Sequence, residues 1–439
     1  MHARARIALI LAFIAVVAAA CTSTEPEPQV GPGASPSPAV SSGPAATTEP
    51  VSSPTPAAVR ESSRVESPPG GTLLVHGTYP RVPSRCVRYH RPRLTARYPG
   101  TLSVRRAEDG TLSLTLTLPF EDYLRGIAEV PPSWPRAALQ AQAIAARSYA
   151  LASTGWDGAQ GETLRTPICA TTSCQVYRGI PVPFDPQVRR WFGAVRRTTG
   201  QVLLYEGRPA DTVYFSTSNG HTYGNDEVFG SAPLPYLRPV VERDDGASPL
   251  SHWRVRVPFD DVATFLHEAG EWPARRPVSS VRLAGSTVTV EGGGRARSMD
   301  LTTFRDAINA WGPCLEPGRY PPSPLPLTLP SRWMSMTSGP DAAMAVGRGW
   351  GHGVGMVQWG AYGKARQGLP AAAILGYYYG GLRPESFPEP GLIHVQVASG
   401  LTSIRVVPSA AGATLDGEAV AARSVTIQGG DGLQVSTGA

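Results

Sequence analysis

The chain has 439 residues, 41% of them hydrophobic and 17% charged, which is the composition of a globular protein and excludes a wholly disordered one. Forty basic against thirty-four acidic residues give a net charge of +6, carried almost entirely by arginine, with Lys364 the only lysine. No dense basic run accompanies that charge, so a nucleic-acid partner is excluded and only a mild attraction to anionic polymers is left.

At the N-terminus, His2, Arg4 and Arg6 precede an apolar run from Ile7 to Ala20, and Ala18-Ala19-Ala20 leads into Cys21. A basic start, a short apolar stretch and small residues at a cleavage point make a secretory signal. The run is short for a membrane span. A cysteine directly after three small residues has the form of a lipobox, so residues 1–20 are expected to be a lipoprotein signal peptide, with Cys21 lipidated. The alternative is an ordinary signal peptide followed by an incidental cysteine. Residues 21–70 are mostly Pro, Ser, Thr, Ala and Glu, with no aromatic side chain. Such a segment buries too little apolar surface to offset its conformational entropy. It is expected to be a disordered tether that reaches at most about 150 Å as polyproline II. The protein is therefore expected outside the cytoplasm, held on the membrane by a lipid.

From there the pattern turns globular. Thr72–His76, Thr101–Arg105 and Leu112–Leu118 alternate with period two, as strands do, and Asp109-Gly110 suits a tight hairpin between the last two. Ser133-Trp134-Pro135 has a capping hydroxyl and an early proline, and Ala138, Leu139, Ala141, Gln142, Ala145, Ala146 and Tyr149 follow at helical spacing. Val202–Tyr205 and Thr212–Phe215 read as strands, and Asp261–Ala269 and Leu301–Trp311 as helices. A hairpin is expected around Gly285-Ser286. Past Gly381 the apolar residues alternate again. The fold class is α+β: a mixed, β-rich domain over 71–390 with an insertion at about 241–311, then a small β appendage over 391–439. With Cys21 set aside, Cys86, Cys169, Cys174 and Cys314 remain. An even count in an exported protein points to disulfides, with three possible connectivities. Cys169–Cys174 with Cys86–Cys314 is preferred, because the first pair closes a short loop.

Residues 347–363 read Gly-Arg-Gly-Trp-Gly-His-Gly-Val-Gly-Met-Val-Gln-Trp-Gly-Ala-Tyr-Gly. Seven glycines interleaved with polar and aromatic residues suit neither a plain helix nor a plain strand, and mark a stretch where backbone lies close to something else. Three further stretches accompany it. Phe120-Glu121-Asp122-Tyr123-Leu124-Arg125-Gly126-Ile127-Ala128-Glu129 runs on to Ala146-Arg147-Ser148-Tyr149-Ala150. Cys169 to Gly179 contains Cys174-Gln175-Val176-Tyr177, and Tyr214-Phe215-Ser216-Thr217-Ser218-Asn219-Gly220 follows. The four, in this order, resemble the signatures of the SpoIID/LytB domain family over about Gly100 to Gly381.

The resemblance implies peptidoglycan remodelling, with Glu129 in the place of the catalytic glutamate of a lytic transglycosylase. Taken alone, Glu129 reads as an acid near a helix start, complementing its dipole. Burial beside Val130, the prolines and Trp134 would also raise its pKa, as a general acid requires. One carboxyl suffices for lytic cleavage, because the muramyl C6 hydroxyl is the nucleophile, whereas ordinary hydrolysis takes two. Val130 stands where the family usually has methionine, and Gln140 where relatives often have lysine. Arg147 is expected to orient the acid or hold an anionic group of the substrate. Ser216, Ser218, Asn219, Thr222, His352 and Gln358 are expected to meet sugar hydroxyls or acetamido groups, with Trp350 or Tyr362 stacking on a sugar face. Some relatives are associated with zinc beside the second cysteine of the Cys169–Cys174 stretch. Here Ser173 replaces their histidine, so no metal and no cofactor are expected. The expected partners are glycan strands, a cell-wall amidase and the membrane. Two other classes stay open: a non-catalytic enhancer of an N-acetylmuramoyl-L-alanine amidase, and a thiol hydrolase using Cys174 with His352.

Overall fold

The computed structural model describes residues 60–80, 94–159, 163–164, 166–181, 185–321, 327–421 and 423–438. The expected signal peptide, Cys21, the tether up to residue 59 and Cys86 lie outside the described residues. Among the described residues, no helix is long and apolar enough to cross a membrane.

Two sheets share the largest apolar core. The first is seven-stranded, in the order Glu418–Ala419, Thr414–Leu415, Ser62–Glu66, Thr101–Arg106, Leu112–Pro119, Leu392–Leu401 and Ile168–Cys169. The second runs Gln434–Gly438, Ser424–Gln428, Ser403–Pro408, Leu73–Thr78 and Leu94–Tyr98. Period-two alternation dictates the packing: Leu112, Leu114, Leu116 and Leu118 face inward, and the serine and threonines between them face out. Leu73, Val75, Ile404, Val406, Val425 and Ile427 of the second sheet are buried in the same core.

Three boundaries differ from the sequence reading, the first two of them in these sheets. Ser62–Glu66 lies inside the expected tether, yet it pairs with Thr101–Arg106 and buries Val65 completely. The expected appendage over 391–439 is no appendage. Its strand Leu392–Leu401 lies inside the larger sheet, between Leu112–Pro119 and the edge strand Ile168–Cys169, and Ser403–Pro408 pairs with Leu73–Thr78 in the other. Alternation was legible there, but which strands it would join was not.

Helices α1 (Phe120–Gly126), α2 (Arg136–Ser153) and α3 (Val188–Arg197) follow the first strands. Helix α2 is the axis of the fold. Its alanines let it pack closely against α3, the strand Gln201–Tyr205, α7 (Gln358–Arg366) and α8 (Ala371–Tyr378), the last two lying after the insertion. Its N-cap is Pro135, not Ser133, and no side chain caps it. Between them come α4 (Asn225–Phe229), α5 (Phe259–Glu268) and α6 (Leu301–Leu315).

The insertion is longer than the expected 241–311. A second apolar core runs from Trp253 to Ala345, built by α5, α6 and two three-stranded sheets. Asp300 caps α6 by accepting the Thr302 N–H at 2.7 Å. The unit rejoins the main body where Gly349 N–H donates to the Leu250 carbonyl, at the entrance to the glycine-rich run.

Candidate functional site

Glu129 is placed by a short stretch of pairing rather than by a helix. After α1 ends, Ile127 bridges Tyr177; Ala128 N–H donates to the Val176 carbonyl, and Arg178 N–H to that of Gly126. This pairing brings the Val176 N–H to 2.6 Å from the Glu129 carboxyl. The strand partner is held from its other end, since Cys169 and Cys174 are disulfide-bonded with Cα atoms 5.5 Å apart. Cys314 is also disulfide-bonded.

Burial raises the Glu129 pKa above the ordinary carboxylate value, opposed by the Val176 N–H, Tyr214, the Arg178 charge and Gln358. Tyr214 admits a closer reading. Gln175 Nε2 donates to the Ala146 carbonyl at 3.0 Å; that oxygen only accepts, so the amide orientation is fixed. Gln175 Oε1 therefore receives the single hydroxyl proton of Tyr214, at 3.0 Å. With that proton committed to Gln175, burial is the influence that favours the acid form of Glu129. Gln358 Nε2, at the start of α7, also donates to Gln142 Oε1 at 3.4 Å.

Beside the acid loop, three rings close on one another. Trp134 lies 5.0 Å from Trp359 and 5.2 Å from Tyr362, and those two are 5.3 Å apart. They bring the residues after Glu129 against α7, so Tyr362 and Gln358 arrive at the site from one helix. Tyr362 keeps partial exposure.

Of the other expected contacts, several are spent on the protein itself. Arg147 does not reach the site. It is fully buried, with Nη2 at 2.6 Å from Glu121, Nε at 2.5 Å from Glu389 and Nη1 at 3.2 Å from the Thr198 hydroxyl. Arginine on a helix otherwise lined by small residues reads equally as surface or site, and neither reading anticipated an internal ion triad. Ser218 gives its N–H and hydroxyl to Asp245, and Thr222 accepts the Val240 N–H; both are buried. Ser216 is buried, with its hydroxyl 3.1 Å from that of Thr217. Trp350 exchanges backbone bonds with Thr217. Asn219 donates to the Tyr223 hydroxyl at 2.8 Å. His352 donates from Nε2 to the Tyr214 carbonyl and accepts the Val354 N–H at Nδ1, which fixes the neutral tautomer. With Cys174 in a disulfide, it offers no thiolate to pair with His352. The structure adds Tyr214, Gln175, Arg178 and the Val176 N–H, all within or beside the quoted motifs. Their types gave no signal, since a backbone donor has none.

Comparison with known proteins fits this geometry. The family described as Stage II sporulation protein matches residues 108–205, the segment that carries Glu129 and the disulfide loop. An uncharacterized protein of Brachyspira hyodysenteriae is 29% identical over 282 residues, 62% of this chain and 68% of that one. Stage II sporulation protein D of Bacillus subtilis is 29% identical over 273 residues, 60% of this chain and 74% of that protein. The amidase enhancer of Bacillus subtilis is 26% identical over 303 residues, which cover 60% of this chain and 40% of the enhancer. These matches bear out the resemblance to the SpoIID family that the motifs indicated.

Proposed function

From this kinship with the SpoIID family we propose that the chain remodels peptidoglycan outside the cytoplasm as a lytic transglycosylase, with Glu129 as its single acid and base. The observation that supports it most is the setting of Glu129: a carboxyl whose burial raises its pKa above the ordinary carboxylate value, held beside the Val176 N–H. Glu129 gives its proton to the glycosidic oxygen as the bond from the muramyl C1 breaks. The resulting carboxylate, steadied by the Val176 N–H, takes the proton of the C6 hydroxyl as that oxygen closes on C1. The products are a shortened strand and a 1,6-anhydromuramyl end, and no water is consumed.

No step passes through a metal. Both sulfurs of the Cys169–Cys174 loop are joined to each other, and exposed Ser173 between them supplies no imidazole. Membrane attachment through Cys21 belongs to the same proposal, as does an amidase that strips stem peptides before this chain acts.

The test is mass spectrometry of the products from denuded glycan. Glu129→Gln keeps shape and hydrogen bonding, so it should bind glycan while releasing anhydromuramyl ends about 10²–10⁴-fold more slowly. Wild-type activity should fall as pH rises through the raised Glu129 pKa, because the acid must start protonated. A mutant as fast as wild type refutes the assignment. The match to an amidase enhancer favours a second reading. A wild type that releases no anhydro ends but accelerates an amidase would establish it.

A further inference from the structure

The glycine-rich run also serves a second face. Successive residues of an extended strand point to opposite sides. Tyr214 therefore reaches Glu129, while Phe215 turns away and enters a series of rings. In order, these are His221, Tyr223, Trp333, Phe215, His352 and Phe229, with successive centroids 4.5, 5.8, 6.2, 5.5 and 5.4 Å apart. Tyr223 and Trp333 lie nearly parallel, at 10°. The loop is shaped for them: a Cβ on Gly353, at φ +94°, would stand 2.8 Å from both the Trp333 and Tyr223 rings. Trp333 comes from the inserted unit, so the series is complete only where that unit meets the main body.

Packing alone does not account for the ends of the series. Phe229 is 50% exposed, His221 is exposed, and Trp333, Tyr223 and His352 are part-exposed. Burial, aided by the nearby Arg332 charge, pushes the His352 pKa down to about 4, against the pull of the Tyr214 carbonyl. At any pH near neutrality it is therefore a flat, uncharged ring. Polar groups stand at the edges: the Tyr223 hydroxyl with the Asn219 amide, and exposed Arg332. Exposed and part-exposed rings on either side of buried Phe215, edged by hydrogen-bonding groups and by exposed Arg332, suit a linear chain of pyranoses bearing carboxylates, whose apolar faces lie on those rings and whose acid groups meet the arginine.

We infer that this row of rings is a second sugar-binding face, contributed jointly by the glycine-rich loop and the inserted unit, for aminosugar chains that carry carboxylates. It rests on the glycan-directed reading above and assigns no chemistry to the rings. The test is calorimetric titration of the full exported chain, carrying Glu129→Gln to stop turnover, with denuded peptidoglycan strands and with an N-acetylglucosamine hexamer that lacks carboxylates. Adding Phe229→Ala, which removes a half-exposed ring, should weaken both by about tenfold. Adding Arg332→Ala should weaken only the carboxylate-bearing strands, by about threefold to fivefold. Unchanged binding of both ligands in Phe229→Ala overturns the second face and leaves the reading of Glu129 intact. A parent protein that binds neither ligand overturns the glycan-directed reading, and this face with it.

Discussion

Arg147→Met separates an internal role for this arginine from a role toward substrate. The guanidinium is completely buried and holds two carboxylates, Glu121 and Glu389, whose side chains are 24% and 15% exposed. Burial raises the Glu389 pKa, Arg147 lowers it, and Glu121 raises it further. Methionine fills much of the space but leaves two neighbouring carboxylates facing each other without a cation. Removing one partner from a buried ion pair costs about 3–5 kcal/mol, chiefly through the charge left behind. The expected loss in urea denaturation at neutral pH is therefore about 3–5 kcal/mol. It should shrink as pH falls, because protonation of Glu389, whose pKa burial raises, removes charge that methionine cannot balance. Adding Glu121→Gln and Glu389→Gln should recover much of the loss at neutral pH. A variant within about 1 kcal/mol of wild type that has instead lost affinity for glycan would refute this account.

Three further outcomes are expected. The paired change Cys169→Ser and Cys174→Ser should cost about 2 kcal/mol for so short a loop. It should also loosen the Val176 N–H from Glu129, so the alkaline limb of the activity profile moves to higher pH; an unmoved limb would show that the disulfide does not position the donor. His352 stays neutral when folded, with a pKa of about 4 against about 6.5 in the unfolded chain. As pH falls through that window the unfolded chain takes up a proton the folded one refuses, so stability drops by at most about 3 kcal/mol, and His352→Phe should flatten the curve of urea midpoint against pH. Gly355→Ala places a Cβ 2.1 Å from the Val213 carbonyl oxygen at φ +73°, whereas Gly368, at φ +92°, faces open space. Thermal melting should show the first variant losing well over the ~1–2 kcal/mol of backbone strain that limits the second; equal losses would dismiss the steric argument.

The sequence made local structure legible where burial alternates simply. Leu112–Pro119, Gln201–Tyr205 and the hairpin at Gly285-Ser286 lie where period and turn chemistry put them. Helix α7 was hidden because its first six residues, Gln358 to Gly363, include two glycines; Gly360 and Gly363 sit where α7 touches Tyr378 and Asp244, contacts that outweigh propensity. Motif reading pointed to Glu129 and found the disulfide loop but not the Tyr214–Gln175 pairing, since which oxygen holds a proton follows from partners far apart in the chain. It also could not tell that Ser218 and Thr222 face inward, because a hydroxyl serves a sugar and a buried carboxylate equally well.

The placement of Leu392–Leu401 and Ser403–Pro408 inside the two sheets governs how the chain reaches its fold. Each sheet lacks an interior strand until residues about three hundred positions downstream of its first partners become available. Closing loops of that length costs entropy before any pairing repays it, so folding should be slow and concentrated late in synthesis or export. Meanwhile Leu112–Pro119, with its row of leucines, presents an unpaired edge able to recruit another copy of itself. The chain therefore depends on being kept from its neighbours until its last strands arrive, and a shortened C-terminus would leave aggregate rather than a trimmed domain.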